Sequence, residues 1–232
     1  MREDTRTLVF AGATCLVVSL LLSGTAAGLK SRITANEEFD VKRNIVKAFG
    51  VNIAGATPES INETFEEHIS EMVVDASNGT LIESMLPKQI TPEAMEAKTQ
   101  LPLYTWTENG EITRYAIPIS GKGLWSMLHG YLSLESDLQT IAGITFYKHG
   151  ETPGLGAEIE KDWFQNQFRG KKLYEDGAPT EFKVAKPDSE KDGPSEVDGI
   201  SGATLTGKGV QDFLRKDAAS YADYFNSIKE GK

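Results

Sequence analysis

The sequence predicts an α+β fold, an antiparallel sheet flanked by helices, preceded by a single membrane-spanning helix. Three observations predict it: an uncharged apolar run near the N-terminus, strand–turn–strand patterns in the middle, and helical apolar spacing at the C-terminus. Helices on either side of antiparallel strands are the usual arrangement of an α+β domain. The predicted segments are a short tail at 1–7, the membrane helix at 8–29, a helical and mixed connecting region at 30–90, and the main domain at 91–232.

The membrane helix is predicted from the uncharged run at residues 8–29. At ~1.5 Å per residue such a helix spans ~33 Å, which matches the ~30 Å hydrocarbon core of a bilayer. The alternative is a signal peptide cleaved near Thr25, Ala26 and Ala27, but the apolar part of a signal peptide is only ~7–15 residues long. Basic residues are more frequent after the run than before it. Long domains are exported largely regardless of charge, so the residues alone leave the side of the membrane open.

The elements that follow are predicted in chain order. Residues 36–51 have apolar side chains at helical spacing, with Gly50 as the stop, and residues 61–72 form a second segment of uncertain type. Thr91 has the character of an N-cap that precedes Pro92 at the first helical position.

Alternating patterns predict the sheet and the last helix. Residues 103–107 and 111–119 read as strands joined at Asn109 and Gly110, and further strands are expected at 140–148 and 181–184. Residues 205–229 are predicted as a helix. Its apolar face comprises Val210, Phe213, Leu214, Ala218, Tyr221, Tyr224 and Phe225.

Composition excludes several classes of function. The formal net charge is −10, so the chain has no basic surplus with which to bind nucleic acid. Cys15 is the one cysteine, and the three histidines lack the spacing that places two imidazoles on one helix face. A zinc or iron–sulfur site held by this chain is therefore not expected. Any redox chemistry requires an organic cofactor.

Three glycine-rich segments could contact a ligand. Residues 120–126 contain glycines close to Trp125. Glycines beside a large aromatic side chain are typical of a backbone that passes close to a flat ligand, but a tight loop with a buried tryptophan would have the same composition. Residues 149–156 follow a strand and offer the Thr152 hydroxyl and the apolar Leu155. An acid–base role for His149 and Glu151 lacks a partner residue elsewhere and is disfavoured.

The third glycine-rich segment, residues 198–206, runs into the C-terminal helix. A glycine-rich turn at a helix N-terminus binds anions, because free N–H groups and the helix dipole favour phosphate. The simpler interpretation makes Thr204 or Thr206 an N-cap. Residues 202–208 also fit the first seven positions of a P-loop, but Gly209 stands where a magnesium-binding Ser or Thr is required and no buried strand precedes them, so we reject that match.

These segments together resemble the C subunit of the sodium-translocating NADH:quinone reductase of bacterial membranes. The blocks SGKGLWSMLHGYLSL, GITFYKHGETPGLGAEIE, WFQNQFRGKKL and VDGISGATLTGKGVQ carry the resemblance, which extends over nearly the whole chain. The Asp-x-x-Ser-Gly-Ala-Thr string is the signature of the wider class of covalently flavinylated domains. The glycine-rich blocks favour the quinone reductase over the related G subunit of Rnf-type ferredoxin:NAD oxidoreductases.

The resemblance implies a cofactor and its attachment. In that family flavin mononucleotide, FMN, is bonded through its phosphate to the last threonine of the motif, here Thr204. A flavin transferase that uses FAD and magnesium makes the bond, and Asp198 would be recognised by that enzyme. The other positions that match family contacts to the phosphate or flavin ring are Ser201, Gly202, Ala203, Leu124, Trp125, Thr152 and Leu155. Gly207 departs from the polar residue frequent in the family, at a cost to helix propensity of ~1 kcal/mol.

The resemblance also implies a place and a role. The chain would lie in the bacterial inner membrane with its soluble domain on the periplasmic side, among the other subunits of the reductase. It would relay electrons during transfer from NADH to ubiquinone coupled to sodium export, with no catalytic residue or metal of its own. Two alternatives stay open: the Rnf-type G subunit, and a membrane-tethered binding domain without a cofactor.

Overall fold

The computed structural model describes residues 3–187, 189 and 193–231. Its α-helices in these ranges are α1 (Glu3–Ala48), α2 (Pro58–His68), α3 (Pro92–Glu96), α4 (Asp162–Gln165) and α5 (Thr204–Lys229). Its strands are β1 (Ile69–Asp75), β2 (Thr80–Leu81), β3 (Gln100–Glu108), β4 (Glu111–Lys122), β5 (Met127–Glu135), β6 (Ile141–Lys148), β7 (Tyr174–Glu175), β8 (Ala178–Pro179), β9 (Lys183–Ala185) and β10 (Glu196–Asp198). Short 3₁₀ segments lie at Pro87–Gln89, Gly156–Glu160 and Asn166–Phe168.

Six strands form one antiparallel sheet in the order β2-β1-β3-β4-β5-β6. The β3–β4 hairpin turns at Asn109 and Gly110, whose φ angles are +53° and +84°. Positive φ at both turn residues is what a tight hairpin needs, and Asn-Gly supplies it at little cost. The remaining strands form two small pairs, a parallel β9–β10 pair and an antiparallel β7–β8 pair.

Helix α5 packs against this sheet and closes the main core. All seven residues of its predicted apolar face are buried. Two tyrosine hydroxyls fix the packing: Tyr221 donates to the carbonyl oxygen of Pro102 at 2.5 Å, and Tyr174 donates to that of Ala218 at 2.6 Å. Because a buried hydroxyl without a partner is costly, these bonds define one seating of the helix.

The N-terminal part of the chain is a compact unit of its own, since contacts divide the chain between Val41 and Lys42. Among the described residues, α1 is the one helix long and apolar enough to cross a membrane, with a mean hydropathy of 2.0 over its most apolar stretch. No residue of that stretch is buried by protein, which fits a membrane-anchored protein.

The structure refines several sequence predictions. Residues 36–48 continue α1 without a break, and the predicted stop holds, since Gly50 follows the helix with φ +90°. The uncertain segment at 61–72 divides between α2 and β1. Strand β5 was not predicted. Its N-terminal part follows directly on a glycine-rich segment, and most of the strand is buried on both faces, so no alternating pattern marks it. Because β1 and β2 pair into the same sheet, the predicted boundary at residue 91 is not a boundary of the sheet.

Candidate functional site

The three glycine-rich segments meet at one end of the sheet. The first connects β4 to β5, the second follows the end of β6, and the third leads into α5. Strand pairing brings the first two together, because His129 of β5 is paired with Lys148 of β6. Gly150 then donates its backbone N–H to the Ser126 hydroxyl oxygen at 2.6 Å.

A single buried carboxylate, that of Glu151, joins the three segments. Its Oε1 accepts backbone N–H bonds from Trp125 at 2.9 Å and Ser126 at 3.1 Å, and its Oε2 accepts a longer one from Leu124 at 3.3 Å. The hydroxyl of Thr206, in the first turn of α5, donates to Oε2 at 2.7 Å. Glu151 is therefore the acceptor around which the β4–β5 loop and the start of α5 are held.

The charge of Glu151 is stabilised where it lies. Burial on its own raises the pKa of this carboxyl, but the hydrogen bonds from Thr206, Trp125, Ser126 and Leu124 outweigh burial, and the pKa is lowered from its ordinary value. A carboxylate with its lone pairs engaged in this way positions its neighbours and is not set up to exchange protons. Thr206 is thus the partner of Glu151 that the sequence did not reveal, and the role of Glu151 is to hold its neighbours in position.

Close approach at two glycines brings the segments into contact. A Cβ atom on Gly123 would lie 2.7 Å from the Glu151 Oε1, and one on Gly156 would lie 2.7 Å from both the Glu151 Oε2 and the Thr206 Oγ1. Either side chain would push the carboxylate from its place. The glycines at these positions are required by the Glu151 arrangement.

Helix α5 begins without a side-chain cap. Its N-cap is Ala203, which has no oxygen to offer, and Gly202 before it has φ +74°. The first N–H groups of a helix lack partners within the helix, and their partial positive charge attracts anions. An uncapped start at the end of a glycine-rich turn fits a phosphate group.

Thr204 and Thr206 have opposite environments. Thr204 is exposed, and its hydroxyl makes no hydrogen bond to any residue that the structure describes. Thr206 is 1 % exposed and its hydroxyl is engaged with Glu151. Neither side chain caps the helix, so the N-cap interpretation of these threonines is wrong.

Exposed apolar side chains lie on the two loops that Glu151 joins to this helix start. Trp125 is 71 % exposed, which contradicts the alternative of a buried tryptophan in a tight loop. Leu124 and Leu155 are also exposed, and Leu155 lies against Gly202, where a Cβ would come within 2.9 Å of its Cδ2 atom. An anion site with exposed apolar side chains on neighbouring loops fits a flavin nucleotide, which has a phosphate at one end and a planar ring at the other.

The remaining predicted residues are placed as follows. Thr152 and Ser201 are exposed in their loops, and the Thr152 carbonyl oxygen accepts N–H bonds from Leu155 at 3.1 Å and Ala157 at 3.2 Å. Asp198 is half-buried at the end of β10, where the Gln167 side chain binds both its backbone N–H, at 2.9 Å, and its carbonyl oxygen, at 3.3 Å. Gln167 and Thr206 were not predicted as site residues, because an amide or hydroxyl in a polar stretch carries no sequence signal of its own.

The rejected P-loop is also excluded by the structure. Residues 204–209 lie within α5 and do not form a phosphate-binding loop. Gly209 has a packing role instead: a Cβ on it would overlap the carbonyl oxygen of Lys122 at the end of β4. Gly207 is similarly close to Val184, with 3.0 Å between a Cβ at that position and the valine Cγ1.

This fold and site define a flavin-binding domain, and comparison with known families agrees. A model of the FMN-binding domain family matches residues 123–218. That range contains the Glu151 cluster, the exposed apolar side chains and the start of α5.

Comparison with known proteins also narrows the family. The chain is 33 % identical to the C subunit of the Na⁺-translocating NADH-quinone reductase of Vibrio anguillarum, over 97 % of this chain and 95 % of that protein, and 31 % identical to that of Yersinia pestis, over 97 % and 93 %. The crystal structure of the same reductase's C subunit from Parabacteroides distasonis superposes with a TM-score of 0.76 at 34 % identity, covering 86 % of this chain and 98 % of that one. The chain belongs to the family of C subunits of the Na⁺-translocating NADH-quinone reductase, and the sequence-based resemblance is confirmed.

Proposed function

We propose that this chain relays electrons through an FMN that is joined by a phosphoester to Thr204. The observation that carries the proposal is the contrast between the two threonines at the helix start. Thr204 is exposed with an uncommitted hydroxyl, whereas Thr206 is buried and bonded to Glu151. A modifying enzyme reaches the first without unfolding the helix and does not reach the second.

The residues present fit the group at both of its ends. The uncapped N–H groups at the start of α5 would stabilise the phosphate, with Ser201, Gly202 and Ala203 allowing the backbone to approach it. Trp125, Leu124 and Leu155 offer apolar surface, and Thr152 a hydroxyl, for the flavin ring. Bound there, FMN supplies electron transfer, and this chain contributes its position and surroundings.

The attachment itself is a substitution at phosphorus. The Thr204 hydroxyl oxygen would bond to the FMN phosphorus of an FAD donor, the pyrophosphate bond would break, AMP would leave, and the hydroxyl proton would pass to solvent. We propose that a flavin transferase performs this step with magnesium and reads Asp198. Gln167 holds the Asp198 backbone in place from the neighbouring 3₁₀ segment.

The place of the chain in a larger assembly is part of the proposal. The family resemblance supports a position in the bacterial inner membrane with the soluble domain on the periplasmic side, bound to the other subunits of a reductase that passes electrons from NADH to ubiquinone and exports sodium. Fusing alkaline phosphatase to the C-terminus tests the side, because that enzyme is active only after export. An inactive fusion of normal abundance would contradict the periplasmic placement.

The covalent bond is tested by co-expressing the full chain with the flavin transferase and imaging flavin fluorescence in a denaturing gel. The wild type and Thr206→Ser should fluoresce, since serine preserves the hydroxyl that Glu151 binds. Thr204→Ala should be dark. Mass analysis of the tryptic peptide then locates the group, and flavin on Thr206, or a fluorescent Thr204→Ala band, would overturn the proposed attachment.

The ring contacts need a separate readout. Trp125→Ala removes an exposed side chain, so it should leave the amount of bound flavin unchanged while shifting the visible absorption bands, which respond to the surroundings of the ring. Trp163→Ala, a half-exposed tryptophan in α4, is the matched control. Identical spectra in all three proteins would remove Trp125 from the site.

The comparisons favour this function over the two alternatives. The Yersinia pestis and Vibrio anguillarum relatives, which match along nearly the whole chain, are named as the C subunit of the quinone reductase and not as part of an Rnf-type complex. The family match to an FMN-binding domain speaks against a binding domain without a cofactor.

A further inference from the structure

A second cleft lies within residues 42–232, apart from the helix start that carries Thr204. Its volume is about 470 Å³, and its walls come from the end of α1, the turn after it, β6, and the segment from α4 to Arg169. A volume of this size accommodates a small molecule or a lipid headgroup. None of the nine site residues predicted from the sequence lines it.

The cleft is basic in a protein whose net charge is −10. Arg43, Lys47 and Arg169 line it, against a single acidic side chain, Asp162. Lys47 is paired with Asp162 at 2.9 Å between Nζ and Oδ1, and this pairing lowers the pKa of Asp162. The two arginines are exposed and form no ion pair within the described part of the chain, which leaves two positive charges uncompensated.

The turn after α1 places one of these charges. Gly50 has φ +90°, and a Cβ on it would lie 3.1 Å from the Arg169 Nη2 atom. The guanidinium therefore lies close against the backbone of the turn. Arg43 and Lys47 are one helical turn apart and so present their charges on the same face of the helix.

A buried amide at the cleft wall specifies the ligand further. Gln165 is 4 % exposed, and its Nε2 donates to the Ile159 carbonyl oxygen at 3.3 Å. Its Oε1 is buried and accepts no hydrogen bond from any residue that the structure describes. A buried acceptor without a donor costs ~1–3 kcal/mol. Since Gln165 lines the cleft, a ligand that brings an N–H or O–H group gains by binding here once the amide turns its Oε1 toward the ligand.

We propose that this cleft binds a phosphate group that carries a hydrogen-bond donor. Arg43 and Arg169 bind the negatively charged phosphate oxygens, and the Gln165 Oε1 accepts a hydrogen bond from the donor. A protonated phosphate or phosphate monoester has this chemistry, and so does the headgroup of a phospholipid that bears a hydroxyl or ammonium group. Guanidinium groups match phosphate oxygens in geometry, and the bonds between them are strengthened by charge.

The test uses the full chain in an uncharged detergent at neutral pH and low salt, with inorganic phosphate and then sulfate as calorimetric probes. Sulfate matches phosphate in size but has no proton to donate, so we expect it to bind roughly tenfold more weakly. Arg169→Gln and Arg43→Gln should each weaken phosphate binding roughly tenfold. Arg215→Gln, which replaces an exposed arginine on α5 outside the cleft, should leave binding unchanged.

A second arm separates the two sources of phosphate. The chain is placed in nanodiscs of phosphatidylcholine alone or with phosphatidylglycerol, and amide hydrogen exchange is followed at residues 49–54 and 165–169. If these amides are protected from exchange only when phosphatidylglycerol is present, the site binds a lipid. If inorganic phosphate binds with the same affinity in both kinds of nanodisc, the site binds a free phosphate. The proposal is overturned if neither phosphate binding nor lipid-dependent protection is seen, or if sulfate binds as tightly as phosphate. It is also overturned if Arg169→Gln binds phosphate as tightly as the wild type does.

Discussion

The Glu151 carboxylate offers the sharpest test of how the proposed flavin site is built. If it holds the β4–β5 loop against α5, removing its charge must destabilise the folded chain even though Glu151 was not itself predicted as a site residue. Two variants grade the loss. Glu151→Gln preserves the shape of the side chain and one acceptor oxygen, whereas Glu151→Ala removes every acceptor.

The expected size follows from the hydrogen bonds. Three of them are between 2.7 and 3.1 Å long, from Thr206, Trp125 and Ser126. A bond to a charged group contributes ~1.5–3 kcal/mol and a neutral one ~0.5–1.5 kcal/mol. Because the loop N–H groups rehydrate in part when released, we expect a loss of ~2 kcal/mol for Glu151→Gln. Glu151→Ala also leaves the Thr206 hydroxyl buried without its acceptor, so its loss should approach ~4 kcal/mol.

Urea unfolding of the full chain in detergent, followed by far-ultraviolet circular dichroism, measures both losses. With a slope of ~2 kcal/mol per molar urea, Glu151→Gln should lower the midpoint by ~1 M at neutral pH. Glu160→Gln is the control, since this glutamate lies near the same loop but is exposed and only pairs with His149 at 3.3 Å. Its midpoint should not move measurably, as exposed ion pairs contribute little.

The pH dependence of stability tests the role of Glu151 independently. The folded-state pKa of Glu151 is lowered from its ordinary value of 4.5, so its contribution to stability is fully present above that value and is lost as the pH falls through the folded-state pKa. The difference between the wild type and Glu151→Gln should therefore shrink in acid. Equal midpoints at neutral pH, or a difference that grows on acidification, would refute the role assigned to Glu151.

Two further predictions concern the seating of α5. Asp217, 3 % exposed, pairs with Lys98 and accepts the Ser120 N–H at 2.8 Å, and burial raises its pKa. Lys98→Met leaves this carboxylate unpaired, so we expect the free energy of unfolding in urea to fall by ~3 kcal/mol at pH 8. The fall should be smaller at pH 5, because losing Lys98 raises the pKa of Asp217 further and the carboxyl then takes up a proton. A fall of the same size at both pH values would contradict this. Gly209→Ala should cost more than ~2 kcal/mol despite alanine's ~1 kcal/mol advantage in helix propensity, because its Cβ would overlap the Lys122 carbonyl oxygen. Lys208→Ala is its exposed control, and a stabilised Gly209→Ala would show that α5 is not seated as described.

The sequence predicted those parts of the fold in which one local signal dominates. Helix α5 shows its apolar face in the 3.6-residue period, the β3–β4 hairpin shows its Asn-Gly turn, and α3 begins where Thr91 accepts the Ala94 N–H at 3.3 Å. Strand β5 gave no such signal, since residues 128 and 130–134 are buried without alternation. Its place is decided by pairing with β4 and β6, which are contacts that no single-sequence pattern records.

The candidate site likewise has one part that the sequence predicted and one part that only the fold reveals. The glycine-rich turn before α5 was visible in the sequence because its composition is unusual and its position before a helix is informative. The Glu151–Thr206 bond was not, since it joins residues 55 positions apart. A carboxylate in a polar loop is in most cases solvated. Only the fold shows that this one is 5 % exposed and surrounded by N–H donors.

Because of helix geometry, the Glu151–Thr206 bond also determines which way Thr204 points. Residues two apart in an α-helix point ~200° away from each other, so one faces the protein when the other faces solvent. The bond to Glu151 turns Thr206 inward and therefore turns Thr204 outward. Attachment at Thr204 then requires no break in the packing of α5, whereas attachment at Thr206 would remove a hydrogen bond from Glu151 and expose the core at Val210 and Phe213. The Thr206–Glu151 bond thus favours Thr204 over Thr206 as the proposed attachment point, a choice that local sequence left open.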